Sequence, residues 1–552
     1  MIGRRVVLLL ILGGCCASPR LSSAQGRAVV AASDLVYGDI DRLSELGILN
    51  TAIIGQRPYS RREIDRIIRV ARERMRGGSH RVTQRLSEET LAYAEAILRR
   101  MEQRYGVDSL ALDPVVSMLD GASLTYTSTD ADRRGFPAPI TSPIEATIDP
   151  LAERRLGNPA VRGQFGVLEF SHRAEPVPWL AVQLRERVSR GTPHDTTQSA
   201  QSAELLLAST RGVFHNVALT LGRQQITWAQ TAGDGLFLAS DAPTLDALSL
   251  TGDAPFRLPG FLSALGPAQA TLLLADLGAT RVRSHSRLLA YKVSVEPASA
   301  VELGGTFTNH FGGAGARTSS LKDRIVDFLP FIDVLQTHNY ADSSRTLDVE
   351  SDKALGVDGR LRIDQLAGVL VTGELLIDDF DIHRLPKLLT GYGSQTLSIT
   401  FPQLGSPAFS ARLNAIHMGT ITYSHSQLIN GMSTRGRLLG NELGPDAKSY
   451  SAQLRVHPSS STRLELEARS AIYSNATYET YYSDAAQTRY HVRKLSRTAD
   501  ELREIALGTL VIQSDDGIAL TFRGGVQRVR GAFSGPQRRV DYVADMSLRI
   551  GH

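Results

Sequence analysis

Apolar and polar residues alternate one by one along most of this chain, from about residue 112 to the C-terminus. Clear examples are residues 180–188, 217–221, 289–295 and 540–550. Successive side chains of a β-strand point to opposite faces, so this period predicts strands with one apolar and one polar face. Many runs approach about ten residues, the length that a strand needs to cross a bilayer. The pattern favours an all-β, antiparallel transmembrane β-barrel over residues 112–552.

A soluble all-β protein is the alternative, because short strands of a water-exposed sheet give the same local alternation. Strands in soluble proteins average about five or six residues, and these runs are longer. The sequence also lacks an internal repeat of the kind that builds a β-propeller. At about 20 to 27 residues for each strand and its connection, the barrel region predicts about 16 to 22 strands.

Residues 25–111 carry a helical pattern instead. Ile64, Ile67 and Ile68 form an apolar stripe behind Ser60 and Glu63, whose spacing is typical of a helix N-terminus. Similar stripes occupy residues 39–46 and 88–105. Three amphipathic helices bury these stripes against one another or against a neighbour, which predicts a small helical domain.

The first 24 residues predict export from the cytoplasm. Arg4 and Arg5 precede an apolar run, and Ser22 and Ala24 place small residues at positions −3 and −1 of a cleavage site. We therefore predict a signal peptide over residues 1–24.

The two cysteines, Cys15 and Cys16, both lie in this segment. Cleavage after Ala24 would exclude a disulfide framework and a thiolate metal site from the mature chain. Leu12-Gly13-Gly14-Cys15 resembles a lipobox, so acylation of Cys15 remains an alternative.

Arginine dominates the positive charge, since only six of the 61 basic residues are lysine. Its planar guanidinium pairs with carboxylates and phosphates, so acidic glycans, lipopolysaccharide and nucleic acid all fit as partners. The net charge of +4 is too small for 552 residues to choose between them.

The stretch ELLIDDFDIH places Asp378, Asp379 and Asp381 at the end of a strand. Paired carboxylates can perform acid/base catalysis or bind calcium. Adjacent strand residues point to opposite faces, so Asp378 and Asp379 converge only if the chain turns there. A solvated strand end or a charge in the barrel lumen is the favoured interpretation.

The other candidates for chemistry are weak. His417 and His425 would lie roughly 26 Å apart on an unbroken strand and cannot share a metal ion. FGGAGA at residues 311–316 lacks the Lys-Ser/Thr pair of a phosphate loop, and the chain has no G-x-S-x-G motif. The sequence thus predicts a protein that is not an enzyme and has neither metal site nor cofactor.

Residues 221–240, LGRQQITWAQTAGDGLFLAS, combine groups that suit a sugar. The indole of Trp228 offers a face for stacking, while Arg223 and Gln225 offer donors for hydroxyl or carboxylate groups. The alternative is a strand end with Trp228 in the interfacial aromatic belt.

Over roughly residues 120 to 450 the chain resembles the Wzi capsule assembly family of the Gram-negative outer membrane, and four stretches in order, between residues 222 and 447, carry the resemblance. They are GRQQITWAQTAGDGLFLASDAP, LLAYKVSVEPASAVELGGTFTNHFGG, LLIDDFD and INGMSTRGRLLGNELGPDA. The resemblance implies a barrel of about 18 strands, a periplasmic helical bundle at the N-terminus and a lectin-like protein that attaches capsular or other exopolysaccharide to the cell surface. The stretch LGIL…RPYSRREI also looks loosely like an S-layer homology module, which would bind a cell-wall polymer.

The resemblance implies that the glycine-rich stretch 430–447 is a long barrel loop that faces an anionic glycan. The candidate sugar contacts there are Asn430, Arg435, Arg437, Asn441 and Asp446. The alternative is that its glycines only form turns and its arginines pair with carboxylates of the lumen.

We expect extracellular polysaccharide and outer-membrane lipid as partners, no nucleic acid, and a monomer. A porin-like diffusion channel is the alternative function, and it would need an open lumen.

Overall fold

Eighteen long antiparallel strands form a closed barrel in the computed structural model of the chain. Each strand pairs with its neighbour in sequence, and the last pairs with the first through nine residue pairs from Gly121↔Gly551 to Thr129↔Val543. The structure describes residues 27–49, 52–76, 86–106, 114–136, 144, 146–148, 151, 162–193, 201–230, 235–240, 242–316, 320, 324, 327–328, 351–378, 393–425, 428–482, 490–495, 499–533 and 535–551.

The barrel strands are numbered here in chain order. They are β1 (Val115–Thr129), β2 (Gly163–Val177), β3 (Leu180–Pro193), β4 (Gln201–Phe214), β5 (Val217–Gln224), β6 (Leu245–Gly252), β7 (Pro267–Asp276), β8 (Arg287–Ala298), β9 (Val301–Phe311), β10 (Ser351–Ile363), β11 (Val369–Asp378), β12 (Ser394–Phe401), β13 (Phe409–Met418), β14 (Ala447–Ser459), β15 (Thr462–Tyr473), β16 (Glu501–Gln513), β17 (Ile518–Arg530) and β18 (Arg538–Gly551).

Minor elements occupy the connections. Two pairs of two-residue strands are present, Arg134–Gly135 with Thr147–Ile148 and Ser433–Thr434 with Arg437–Leu438. A longer pair joins Tyr478–Tyr482 to Tyr490–Lys494, and the short strand Phe256–Arg257 pairs with β7. Short 3₁₀ helices cover Gly260–Leu265 and Asp364–Leu366.

Strand β5 shows why the alternating sequence folds this way. Val217, Leu219 and Leu221 point outward and are 51%, 45% and 56% exposed, whereas Ala218 and Thr220 are buried inside. An apolar outer face and a polar inner face are what a barrel in a lipid bilayer requires. Exposed apolar residues recur on the outer face of the other strands, so the barrel carries an apolar band that faces lipid.

The two ends of the barrel differ in the length of their connections. Two-residue turns at 178–179, 215–216 and 460–461 lie at one end, whereas the β5–β6 loop (225–244) and the β13–β14 loop (419–446) lie at the other. Outer-membrane barrels place short turns in the periplasm and long loops at the cell surface. The same rule sets the orientation of this barrel in the description that follows.

The described residues of 27–106, which we call the head, contain three helices. They are α1 (Val36–Glu45), α2 (Arg61–Arg76) and α3 (Glu88–Tyr105). The hydroxyl of Ser60 accepts a hydrogen bond from the Glu63 amide at 3.1 Å, and Ser87 caps α3 in the same way through Thr90. The buried stripes of the helices form a single apolar core. None of the helices in the described part of the chain has the length and apolar character needed to span a membrane.

The head closes the short-turn end of the barrel. Arg42 donates to the carbonyl of Pro402 at 2.9 Å, and Arg100 donates to the carbonyl of Ser460 at 2.8 Å. Both acceptors lie in or beside short turns, so the head lies on the periplasmic side in the orientation given above.

One segment of the head, residues 53–57, rises into the lumen. The backbone amides of Ile54 and Gly55 both donate to the carboxylate of Glu302 at 2.9 Å. Arg57 and Thr227 exchange two backbone hydrogen bonds of 2.9 Å each. Because Thr227 belongs to the β5–β6 loop, the head and a surface loop meet directly inside the barrel.

The predicted fold class is confirmed, including the closed barrel and the helical N-terminal region. The boundaries at residues 24 and 111 remain predictions. The signal peptide, Cys15, Cys16, Asp379 and Asp381 lie outside the described residues.

Candidate functional site

An apolar cluster closes the long-loop end of the barrel. Its members include Trp228, Leu236, Tyr423, Leu439 and Leu443, each at most 2% exposed. They come from the β5–β6 and β13–β14 loops, which fold inward over the lumen and pack against each other. We call this assembly the cap.

Tyr423 ties the two loops of the cap to the barrel wall. Its backbone amide donates to the carboxylate of Asp378 on β11, and its hydroxyl donates to the carbonyl of Leu236 at 2.5 Å. The same hydroxyl accepts from the Asn441 amide at 2.8 Å. Burial raises the pKa of Tyr423 well above its usual range, so the hydroxyl keeps the proton that it donates.

The glycines of the stretch 430–447 allow this close packing. A Cβ atom on Gly440 would lie 2.2 Å from the Tyr423 hydroxyl and 2.6 Å from the Leu236 carbonyl oxygen. Gly431 has a φ of +55° and leaves room for the Tyr423 carbonyl, which would lie 1.8 Å from a Cβ there. The glycine-rich stretch is therefore a packed part of the cap.

Arg435 lies at the edge of the cap, with 31% of its side chain exposed. It donates to the carbonyl of Thr244, and its Nη1 lies 3.5 Å from Glu204. Burial and the neighbouring guanidinium of Arg223 lower the pKa of Arg435. Because part of its guanidinium-bearing side chain is exposed, Arg435 can also pair with an anion from outside the protein.

Arg223 lies beside Arg435 and forms an ion pair with Asp246. Its Nε and Nη2 atoms both lie 2.7 Å from the Asp246 carboxylate, across the β5–β6 strand pair. We call Arg223, Asp246, Arg435 and Glu204 the rim cluster. It combines two cations and two anions at the edge where the cap meets the barrel.

The remaining polar candidates of the β13–β14 loop divide by exposure. Asn430 and Asn441 are 2% and 1% exposed, and their side-chain oxygens accept from the backbone amides of Val282 at 2.9 Å and Leu443 at 3.1 Å. They shape the loop. Arg437 and Asp446 are half-buried, so part of each side chain reaches the surface.

Trp228 and Gln225 lie inside the cap. Trp228 is 1% exposed and forms a backbone bridge with Leu238, while Gln225 donates to the carbonyl of Ser240 at 3.2 Å. The bridge folds the β5–β6 loop back over the lumen. The indole therefore neither offers an open face for a sugar in this structure nor lies in an interfacial belt.

Asp378 is a buried lumen carboxylate, 3% exposed, and not a solvated strand end. His417 lies on β13 and His425 in the β13–β14 loop. Within the described residues, no group of three or more His, Cys, Asp or Glu side chains is placed to hold a metal ion.

Sequence reasoning missed Glu204 and Asp246 of the rim cluster, and also Arg281. Arg281 is buried and donates to the carbonyl of Gly431 at 2.8 Å, which joins the β7–β8 loop (277–286) to the cap. Each contact joins residues far apart in sequence. The only local signal was their place at or just beyond strand ends.

The sequence and the fold were compared with those of known proteins. No curated protein matches the sequence. Among solved structures, Escherichia coli Wzi, described as an outer membrane protein involved in group 1 capsule assembly and as a carbohydrate-binding β-barrel, superposes with a TM-score of 0.65 at 14% identity. The match covers 95% of this chain and 99% of that chain, and it concerns the fold.

Two Pseudomonas aeruginosa proteins are more distant. OpdL gives a TM-score of 0.42 at 12% identity, covering 79% of this chain and 98% of that chain. OccD3 gives 0.41 at 8% identity, covering 79% and 93%. The sequence profile described as capsule assembly protein Wzi matches residues 145–498, well over half of the chain. The chain therefore belongs to the Wzi capsule assembly family.

Proposed function

We propose that this protein attaches capsular or other exopolysaccharide to the cell surface through the cap and its rim cluster. The observation that carries the proposal is the position of Arg435 and Arg437 on a packed surface loop that closes the barrel. Guanidinium groups pair with the carboxylates or phosphates of an acidic glycan and donate to sugar hydroxyls. The relative in E. coli is described as a carbohydrate-binding barrel, which supports the same role here.

A rigid site supports this role better than a flexible one. The cap is held by the Tyr423 hydrogen bonds and by an apolar core, so its arginines are positioned before a ligand arrives. Preorganised groups lose less conformational entropy on binding. We propose Arg223, Arg435, Arg437 and Asp446 as direct contacts, and Gln225, Trp228, Asn430 and Asn441 as residues that hold them in place.

The proposed role needs no catalytic step. The protein would act as a monomer whose apolar outer band contacts outer-membrane lipid, while the polymer is held above the membrane. The buried contacts between the head and the β5–β6 loop favour an anchor over a diffusion channel.

The test is the partition of polysaccharide between cells and medium. A strain lacking the gene is compared with its parent and with strains carrying Arg435→Glu or Arg437→Glu. Arg69→Glu on the exposed face of α2 is the control, because it makes the same charge change in the head. Heat-dependent gel mobility reports whether each variant folds as a barrel.

We expect the total polymer to stay constant while most of it moves into the medium in the deletion strain. The two cap variants should shift the partition in the same direction, and the control should not. An unchanged bound fraction in the deletion strain would refute the proposed function.

A further inference from the structure

The head and cap fill only part of the lumen. They dock against strands β9, β10 and β11, where Glu302, Asp358 and Glu374 face inward. Gln230 of the β5–β6 loop donates to Asp358 at 2.6 Å, and its backbone amide donates to Glu374 at 3.2 Å. The opposite part of the wall leaves a cavity of about 410 Å³ between itself and the head. We call this cavity the chamber.

The chamber is rich in arginine. Among the described residues, eight arginines and five carboxylates line it. Glu45 of α1 alone serves three guanidinium groups, since its carboxylate lies 3.2 Å from Arg42, 3.5 Å from Arg412 and 2.9 Å from Arg455. Arg455 also lies 3.5 Å from Glu465, and the excess of arginine over carboxylate across the whole lining leaves the chamber cationic.

A second group repeats the arrangement on β2 and β3. The carboxylate of Glu169 lies 2.5 Å from Arg185 and 2.7 Å from Arg187. Arg187 also lies 3.6 Å from Glu204, which in turn lies 3.5 Å from Arg435. A chain of charges therefore runs from the chamber wall to the rim cluster.

Several donors around the chamber lack acceptors. The Nε atoms of Arg42, Arg57, Arg185 and Arg463 are buried and have no hydrogen-bond partner among the described residues. Arg42 and Arg57 are only 4% and 9% exposed. Buried donors normally have partners, so the hydrogen bonding of these four guanidinium groups is incomplete, although their Nε atoms are themselves shielded from the chamber.

We propose that the chamber binds a small anionic ligand carrying carboxylate or phosphate groups. Guanidinium forks match the planar oxygens of both groups, and several such forks converge on one space. The volume of the chamber falls in the range of small-molecule pockets, which is about 300–1,000 Å³. This site is distinct from the proposed attachment of polymer by the cap, and neither depends on the other.

The two sources of such a ligand are an acidic saccharide and a phosphate compound. Isothermal titration of the purified full-length barrel in detergent distinguishes them with three probes: trigalacturonate, its fully methyl-esterified form and inorganic pyrophosphate. We expect saturable binding of trigalacturonate, of pyrophosphate or of both, and no binding of the neutral ester.

Thr521 allows a test that leaves every arginine in place. It lies on β17, lines the chamber and is half-buried. Thr521→Glu puts a carboxylate into the chamber. Thr521→Gln introduces a side chain of almost the same size as glutamate but without its charge. Ser547→Glu and Ser547→Gln on β18 form a second pair, in case the first charged variant does not fold.

We expect each glutamate variant to weaken binding of the anionic probe at least tenfold, and each glutamine variant to bind as the native protein does. Arg435→Gln and Arg437→Gln should leave unchanged the binding event that the glutamate variants weaken, even where they reduce binding at the cap, which separates the chamber from the cap. The inference is wrong if neither anion binds, if folded glutamate variants bind like the native protein, or if only the cap variants weaken binding.

Discussion

The hydroxyl of Tyr423 donates to the carbonyl oxygen of Leu236 across 2.5 Å, although 187 residues separate them in sequence. This contact joins the β13–β14 loop to the β5–β6 loop and lies under the surface that bears the rim cluster. The shape of the proposed polysaccharide site thus depends on a buried hydroxyl that itself touches no solvent.

Tyr423→Phe should loosen the cap while leaving the barrel intact. The change leaves the Leu236 carbonyl and the Asn441 amide without their buried partner, at a cost of about 1–3 kcal/mol. We expect trypsin to cut after Arg437 faster in intact cells, with peptides identified by mass spectrometry. Tyr450→Phe on the exposed outer face of β14 is the control and should match the native rate.

Gly440→Ala should displace one of the two loops, because the new methyl group would lie 2.2 Å from the Tyr423 hydroxyl. Overpacking of this kind costs about 1–3 kcal/mol. We expect a larger fraction of polysaccharide in the medium. Gly305→Ala on β9 has no atom within 4 Å of the added carbon and should have no such effect. Equal retention in both variants would show that the packing at Gly440 is unimportant.

Glu45 should make docking of the head sensitive to acid. Burial alone would raise the pKa of Glu45, but the guanidinium groups of Arg455, Arg42 and Arg412 outweigh this effect and lower the pKa from its usual 4.5 to about 2. A lowered pKa in the folded state means stability that is present above pH 4.5 and lost as pH falls through 2. The shift corresponds to roughly 3 kcal/mol.

Circular dichroism of the helical signal during thermal unfolding measures this effect between pH 7 and pH 2. We expect the native transition to fall by several degrees below pH 4.5. Glu45→Gln should unfold earlier at pH 7 and lose part of the pH dependence, while Glu73→Gln on the exposed face of α2 should resemble the native protein. Parallel curves for native and Glu45→Gln would contradict the assignment to Glu45.

The native barrel should give no stepwise conductance in planar bilayers. Glu302 accepts the amides of Ile54 and Gly55, and Glu374 accepts those of Gln230 and Leu236 at 3.2 and 2.9 Å. The double variant Glu302→Ala/Glu374→Ala removes the acceptors of four buried amides, so we expect intermittent openings. Glu504→Ala, on an exposed part of β16, should stay silent. Regular native steps would instead favour a channel.

The sequence predicts the strands well because the alternation in a run such as 217–221 reflects one local cause, the contrast between lipid and lumen. Helix starts at Ser60 and Ser87 are equally local. The entry of residues 53–57 into the lumen has no such signal, because it depends on Glu302 and Thr227, which lie far along the chain.

Contacts between residues far apart in sequence also decided which of the predicted site residues are exposed. Arg435 was identified from loop composition, and it lies at the edge of the cap. Trp228 was singled out for chemistry that suits a sugar, yet it is buried within the apolar cluster of the cap. Residue type shows what a side chain can bind, whereas burial depends on which loops fold together.

The paired backbone hydrogen bonds between Arg57 and Thr227 connect the head, at the periplasmic face of the barrel, directly to a surface loop. A polymer held at the proposed site and dragged by flowing liquid would pull on the cap, and the hydrogen-bonded connection would pass part of that load to the head. The head is wider than a single strand and rests on the short turns around the lower rim through Arg42 and Arg100. Shear at the cell surface would then be shared by the whole barrel, so a tethered chain could be held without unravelling the loops that grip it.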